Sequence, residues 1–474
     1  MDQFPQSPHA VPEFAVLGHP NEGKSSVVST LTEDDRIRVS RIPGETTEST
    51  PYTVKIDGKD IIRFVDTPGF QVPKQTLAWF RKFEGNPEQI VETFIQTFKN
   101  DPFYADDCEL LKPVARGAGI IYVVDGSRPV RDDDLAEMEI LRLTGRPRMA
   151  VINSKTHEKD YTLDWRNEFR KHFNAIRIFN SNTADFMERI KMLESLKTID
   201  QEWEQRLSDV IAAFHADQLK RNDLACAAIC RALEQSLSFS LSEPVPEEGD
   251  LETLKERLNE KYQTHIKKFE EGMFKKIRSL FKHHLFEYHL PDYSILNHDL
   301  FSKQTWELLG LTTEQLAAAG AILGGTMGAV IDTAAAGHTF GIFTAIGGIL
   351  GAGSALFSGK KMTGNRSRGI RLGGDRLLLG PFKNLQFLYI LIDRALIYYS
   401  HIIHRPHGRR DMTEVKENKA GPKKGYSTGF TSGQRMVCAK YFKAVTGRSL
   451  IRDKKAVSEF EEFIKAFLEG LSGK

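Results

Sequence analysis

The sequence predicts an α/β domain, with a mostly parallel sheet flanked by helices, followed by a largely α-helical C-terminal region that holds a glycine-rich apolar helical hairpin. Three observations carry this prediction. Short apolar runs ending at Gly, Asp or Asn recur through the N-terminal part of the chain. From about Leu196 the apolar residues recur instead at spacings of three and four. Between Leu316 and Phe357 fall ten of the 37 glycines, in a 42-residue stretch whose only formally charged side chain is Asp332.

The runs FAVLG ending at Gly18, Ile61–Asp66, Gly119–Asp125, Arg148–Asn153 and Ile176–Phe179 have the length and composition of buried parallel strands. The carboxyl ends of such strands point polar groups at a ligand. Trp203, Leu207, Val210, Ile211 and Phe214 then mark an amphipathic helix. The SLSEPVPEEGD stretch ending at Asp250 interrupts it, and Leu254, Leu258, Tyr262, Ile266, Phe269, Ile277 and Leu280 carry a second long helix. The apolar block follows. Behind it, Lys360–Lys424 holds 15 Lys and Arg against 5 Asp and Glu. A last amphipathic helix spans Val457–Leu471. These shifts divide the chain into residues 1–195, a stalk or linker of long helices over 196–300, and a helical domain over 301–474.

At 474 residues the chain is too long for one ordinary domain. With 40% hydrophobic and 27% charged residues it is neither disordered nor collagenous, and four cysteines make no disulfide framework. A reducing cytoplasm fits. The N-terminal residues lack the basic and apolar regions of a secretory signal, so export by that route is not expected. The net charge of +2 conceals the basic segment behind the apolar block.

Gly18-His-Pro-Asn-Glu-Gly23-Lys24-Ser25 satisfies the G-x-x-x-x-G-K-[ST] phosphate-loop pattern, between a predicted strand and a predicted helix. Glycines let backbone N–H groups converge on phosphate oxygens, Lys24 neutralises the β- and γ-phosphates, and the Ser25 hydroxyl reaches Mg2+. Further on, Phe64-Val-Asp66-Thr-Pro-Gly69 places a carboxylate at a strand end, where it can hold the magnesium's water, and a glycine whose N–H can approach the γ-phosphate. Between them Pro43-Gly-Glu-Thr46-Thr47 offers a hydroxyl as the remaining metal ligand, from Thr46 or Thr47. A loop that closes only over a γ-phosphate makes two nucleotide-dependent states.

In these residues the chain resembles the GTPases of the Era, TrmE and EngA group: GHPNEGKSS is similar to their first motif, PGETT to their switch I threonine motif and DTPG to their third. The resemblance covers residues 10 to 190 and implies a P-loop NTPase fold, GTP as substrate and Mg2+ as cofactor. It implies that Gly18, Asn21, Glu22, Gly23, Lys24, Ser25 and Ser26 hold phosphates and magnesium, that Thr46 or Thr47 senses the γ-phosphate, and that Asp66 and Gly69 begin switch II. Lys24, Asn21, Thr46, Thr47 and Gly69 are the implied catalytic set, and Ser25, Thr46, Thr47 and Asp66 the metal set. The whole chain is similar to a bacterial family in which such a G domain precedes a C-terminal domain of unknown function.

Two departures from the pattern matter. The guanine motif N-K-x-D reads Asn153-Ser154-Lys155-Thr156, and a threonine hydroxyl cannot replace a charged bidentate acceptor. Asn153 and Lys155, with Ser181 and Asn182 after the fifth strand, are the remaining base-side candidates; Asn153 can contact the base or tie loops together. Phe70 stands where Ras-like enzymes place a water-orienting glutamine, so hydrolysis is expected to be slow. In the resembled enzymes the loop asparagine, here Asn21, accompanies a K+ ion in place of an arginine finger, which implies faster turnover in potassium than in sodium.

The aromatic stretch from Trp79 to Tyr104 reads as an extra helix pair with its own core, or as an effector or homodimer surface on the G domain. In the apolar block, Gly320, Gly324 and Gly328 repeat at four, as do Gly337 with Gly341 and Gly347 with Gly351. That spacing lets helices approach closely and predicts a helical hairpin in contact with the inner membrane, with a buried soluble pair as the alternative. The basic segment would rest on anionic headgroups or contact RNA phosphates, as on a ribosome. Phe387–Leu391 and Leu396–Tyr399 form an aromatic helix suited to an interface or to packing against the block. The expected location is therefore cytoplasmic and membrane-associated, and the expected activity is that of a slow GTPase switch.

Overall fold

The structure is a computed structural model that describes residues 11–34, 37, 46–153, 160–181, 183–245, 251–282, 294–322, 355–357, 376–405, 425–447 and 453–473. Its first part is a six-stranded sheet in the order β2-β3-β1-β4-β5-β6, built from β1 (Glu13–Leu17), β2 (Thr50–Ile56), β3 (Lys59–Asp66), β4 (Gly119–Asp125), β5 (Arg148–Asn153) and β6 (Ala175–Phe179). All neighbours pair in parallel except β2, which runs antiparallel to β3. The five apolar runs are the five parallel strands. β2 (TPYTVKI) has a single buried residue, Val54, so its half-polar sequence carries little apolar signal.

Alternation along the central strands feeds two cores. Phe14, Val16, Ile121 and Val123 face α1 (Lys24–Thr32), α7 (Phe186–Lys197) and the start of α8 (Glu204–Ser238). Ala15, Leu17, Ile120, Tyr122 and Val124 face the other way, onto α2 (Pro73–Lys82), α3 (Ile90–Phe98), α4 (Ala105–Ala115), α5 (Asp132–Leu143) and α6 (Thr162–His172). The aromatic stretch is this second layer: Trp79 packs on Phe80, Phe83, Phe94 and Phe98 with centroids 5.3–5.9 Å apart. Its rings are spent largely on one another, and Phe103 alone of them is prominently exposed.

The long helix α8 belongs to both halves of the molecule. Its first turns lay Leu207, Val210, Ile211 and Phe214 on the sheet. Trp203, just before it, meets Phe14 edge-on at 4.6 Å and reaches under the start of β4, where a Cβ on Gly119 would lie 2.0 Å from the indole. The later turns, from Ala225 to Leu237, enter a separate core with α9 (Leu251–Leu280), α12 (Leu385–Ile403), α13 (Ser432–Thr446) and α14 (Lys454–Ser472). Of the two long helices, α8 packs directly on α12, α13 and α14, and α9 packs on α8 and α12. A small antiparallel sheet, β7-β9-β8, joins Leu241–Pro244, Arg376–Leu379 and Ala355–Phe357.

Most of the glycine block lies outside the described residues. Its start is helical, in α11 (Thr313–Ile322), which packs on α12 and α13, but Ala355–Phe357 is a strand where the sequence predicts helix. Among the described residues no helix is long and apolar enough to cross a membrane. α12 is apolar on nearly all sides because it is the core of the C-terminal domain, and of the two roles expected for it the contact seen is the second, with α11 at the start of the glycine block. Arg394, counted in the basic segment, is buried there and pairs with Glu270 through Nε and Nη2 at 2.5 and 2.9 Å. At the end of α12, His404 Nδ1 donates to the Ser400 carbonyl at 2.9 Å. Cys226 and Cys230 are buried core residues of α8.

Candidate nucleotide site

The loop between β1 and α1 has the backbone that its sequence demands. Gly18 has φ +140° and Gly23 φ +95°, and a Cβ on Gly18 would sit 2.3 Å from the Val123 carbonyl oxygen. Asn21 also adopts positive φ, at 67°, on the exposed rim of the loop. Lys24 is buried, and its ammonium donates to the carbonyls of Gly18 and His19, both at 3.0 Å. The loop is thus already curled around a cation. Ser26 is buried beside it on the first turn of α1.

Ser25 and Asp66 meet across the loop, the Ser25 hydroxyl donating to Asp66 Oδ2 at 2.6 Å. The other carboxylate oxygen, Oδ1, is buried with no hydrogen-bond partner. Burial pushes the Asp66 carboxyl up from its ordinary range, against the Ser25 bond and the Lys24 charge that pull it down. An orphaned buried carboxylate oxygen beside a hydroxyl, in an all-oxygen donor set, fits a small hard dication such as Mg2+. Thr46 is half-buried and Thr47 exposed, and the loop before them, residues 38–45, lies outside the described residues, so either hydroxyl remains a candidate third ligand. Gly69 packs against the phosphate loop itself: a Cβ there would lie 2.4 Å from the Pro20 ring. The Asp66–Gly69 segment and the phosphate loop therefore touch. Phe70 is fully buried in the helical layer, with no exposed edge to meet water.

On the base side, Asn153 acts as a tie. Its amide donates to the Glu22 carbonyl at 3.2 Å, and its oxygen accepts from the Ser181 amide and hydroxyl at 3.2 and 3.1 Å. The Ser181 carbonyl in turn accepts from Thr30 of α1 at 3.2 Å. Lys155, Thr156 and Asn182 fall outside the described residues. Both oxygens of the Glu22 side chain are taken by other partners, Arg128 at 2.6 Å and the Asp125 amide, which leaves its backbone to serve the loop.

Sequence reasoning missed two groups beside this loop. His19 bonds to Glu137 of α5 at 3.0 Å, and Glu137 accepts from the Tyr122 hydroxyl at 2.8 Å. Glu33, the residue that caps α1, is buried against Arg189, Arg221 and Lys282 at 2.5, 2.6 and 3.3 Å. Burial would raise the Glu33 carboxyl, but the two guanidinium groups and the Lys282 ammonium outweigh it and hold it well below the usual range. The only sequence signal was a carboxylate at the end of the phosphate-loop helix, and nothing local marks its partners in α7, α8 and beyond α9.

Residues 13–154 match the family described as 50S ribosome-binding GTPase, and residues 166–469 the family described as domain of unknown function DUF3482. GTPase Der of Agathobacter rectalis is 43% identical over 60 residues, 13% of this chain and 13% of that protein. The GTP-binding protein EngB of Xylella fastidiosa is 29% identical over 202 residues, 39% of this chain and 86% of EngB. The tRNA modification GTPase MnmE of Pediococcus pentosaceus is 25% identical over 234 residues, 48% of this chain and 43% of MnmE. The chain spans less than half the length of the Der and MnmE relatives it matches.

Proposed function

The chain belongs to the DUF3482 family, joined to an N-terminal P-loop GTPase domain, and from that premise we propose that it binds and slowly hydrolyses GTP as a switch whose state is passed to its C-terminal helical domain. The observation that carries this reading is the path of α1. It starts at Lys24 and Ser25 and ends at Glu33, which ion-pairs with Arg221 of α8 and Lys282 after α9. At about 1.5 Å per residue, one rigid helix of roughly 14 Å joins the phosphate loop to the helical domain. The residues just beyond Glu33 lead into the Thr46-Thr47 loop, so the clamp sits at the root of the segment expected to answer the γ-phosphate.

In the reaction, Lys24 and the backbone of Gly18–Ser25 would hold the phosphates, with Ser25, Asp66 and one of Thr46 and Thr47 holding Mg2+. Bound there, the metal offsets charge that builds on the phosphate oxygens. Asn21 would serve a K+ ion at the rim. The test is phosphate release by the full chain. Turnover of GTP is expected, faster in potassium than in sodium, with ATP the weaker substrate and Lys24→Ala slower by about 100-fold or more. Equal turnover by wild type and Lys24→Ala would overturn the reading.

For the output, two partners have support. The Leu316–Phe357 block with the basic residues after it supports contact with an anionic inner-membrane surface. The description of the matched G domain, 50S ribosome-binding GTPase, supports ribosomal RNA as the contact of the same basic segment.

A further inference from the structure

His19 is the second residue of the phosphate loop, and its carbonyl already accepts from Lys24. Its imidazole Nδ1 lies 3.0 Å from Glu137 Oε1, and the Tyr122 hydroxyl closes the other oxygen of that carboxyl at 2.8 Å. Glu137 and Tyr122 have no exposure to solvent, while the His19 side chain keeps 31% of its own. A carboxyl so placed has no solvent to stabilise a lone negative charge, so it keeps a proton within the pair.

We propose that His19 is an additional cation of the phosphate site, an imidazolium whose proton is held by the buried Glu137 and taken up fully when a nucleotide's phosphates arrive. The proposal rests on the nucleotide-binding reading above. The charged groups facing the pair are known. Glu22 of the loop and Asp134 of α5 favour the imidazolium, and both are themselves neutralised by Arg128, at 2.6 Å from each. Lys24 lies on the other side, on the His19 carbonyl. Burial pushes the Glu137 carboxyl up to about 7, against the pull of His19 and Tyr122, while the bond to Glu137 raises His19. The pair therefore carries one proton near neutrality and has room for part of a second. Phosphates on the loop add negative charge at close range, which favours that second proton.

The experiment is calorimetry of GDP and Mg2+ binding to the full chain at pH 7 in buffers of different ionisation enthalpy, whose slope counts protons taken up. The nucleotide's own phosphate proton is common to every protein and cancels in the comparison. Wild type is expected to take up roughly half a proton more than Glu137→Gln, and more than His19→Gln by a similar amount. His19 lies on a part-exposed loop, so that second variant preserves the test if Glu137→Gln fails to fold. GDP binding with the same proton count in wild type and a folded variant would overturn the proposal and leave the GTPase reading intact. An absence of GDP binding to wild type would overturn both.

Discussion

Glu33 has the most consequential environment of any single residue. A carboxylate with 6% of its side chain exposed, met by Arg189, Arg221 and Lys282, is costly to bury and costlier to leave half-paired. Glu33→Gln should therefore destabilise the protein by about 3 to 5 kcal/mol, read from urea unfolding, because it strands cations drawn from the G domain and from the helical domain. The sign of the pH dependence follows from the depressed carboxyl. Its contribution is complete above the unfolded value, about 4.3, and is lost as pH falls below it. The gap between wild type and variant should hold from pH 8 to pH 5 and shrink only in stronger acid. The loop's backbone and the meeting of Ser25 with Asp66 were legible in the sequence because each residue has a local reason: Gly18 and Gly23 for backbone shape, Lys24 for charge, Ser25 and Asp66 as the proposed metal pair. Glu33, His19 and Glu137 were not, since their partners lie far away in sequence and only the fold brings them together.

At the scale of elements, apolar runs and helical periodicity located the five parallel strands and the long helices. They could not say what those helices pack on. α8 and α9 read as a stalk because each shows one apolar stripe; the structure lays the first turns of α8 on the sheet and sets its later turns, with the stripe of α9, into the core that α12 fills. α12 reads as a helix for an interface or for packing against the glycine block because it is apolar all round, a pattern that a fully buried helix shares. Its Asp393 makes the distinction: it accepts from the Gly310 amide at 2.7 Å and from the Ser427 amide and hydroxyl, each at 2.7 Å, contacts that tie loops into a protein interior. The membrane reading now rests on the Leu316–Phe357 block. Removing that block should abolish salt-resistant sedimentation with anionic vesicles. Sedimentation with 50S ribosomal subunits that is unaffected by the deletion and lost at about 0.5 M salt would favour the RNA contact instead.

Across the whole molecule the proposed coupling is mechanical. One helix, α1, carries the phosphate loop at one end and the Glu33 clamp at the other, and a second, α8, spans the sheet and the helical core. A change at the γ-phosphate that shifts the loop or the segment after Glu33 then has a short path into the C-terminal domain. Polar ties reinforce that path: Tyr399 of α12 donates to Asn222 of α8 at 2.6 Å, and Asn222 donates to Ser472 at the end of α14 at 2.9 Å. The most direct measurement is amide hydrogen exchange of the full chain with GDP and with a non-hydrolysable GTP analogue. The exchange of residues 204–238 and 251–280 should differ between the two nucleotides, and Glu33→Gln should remove the difference. A difference confined to residues 11–153, with the two long helices indifferent to the nucleotide, would contradict the coupling.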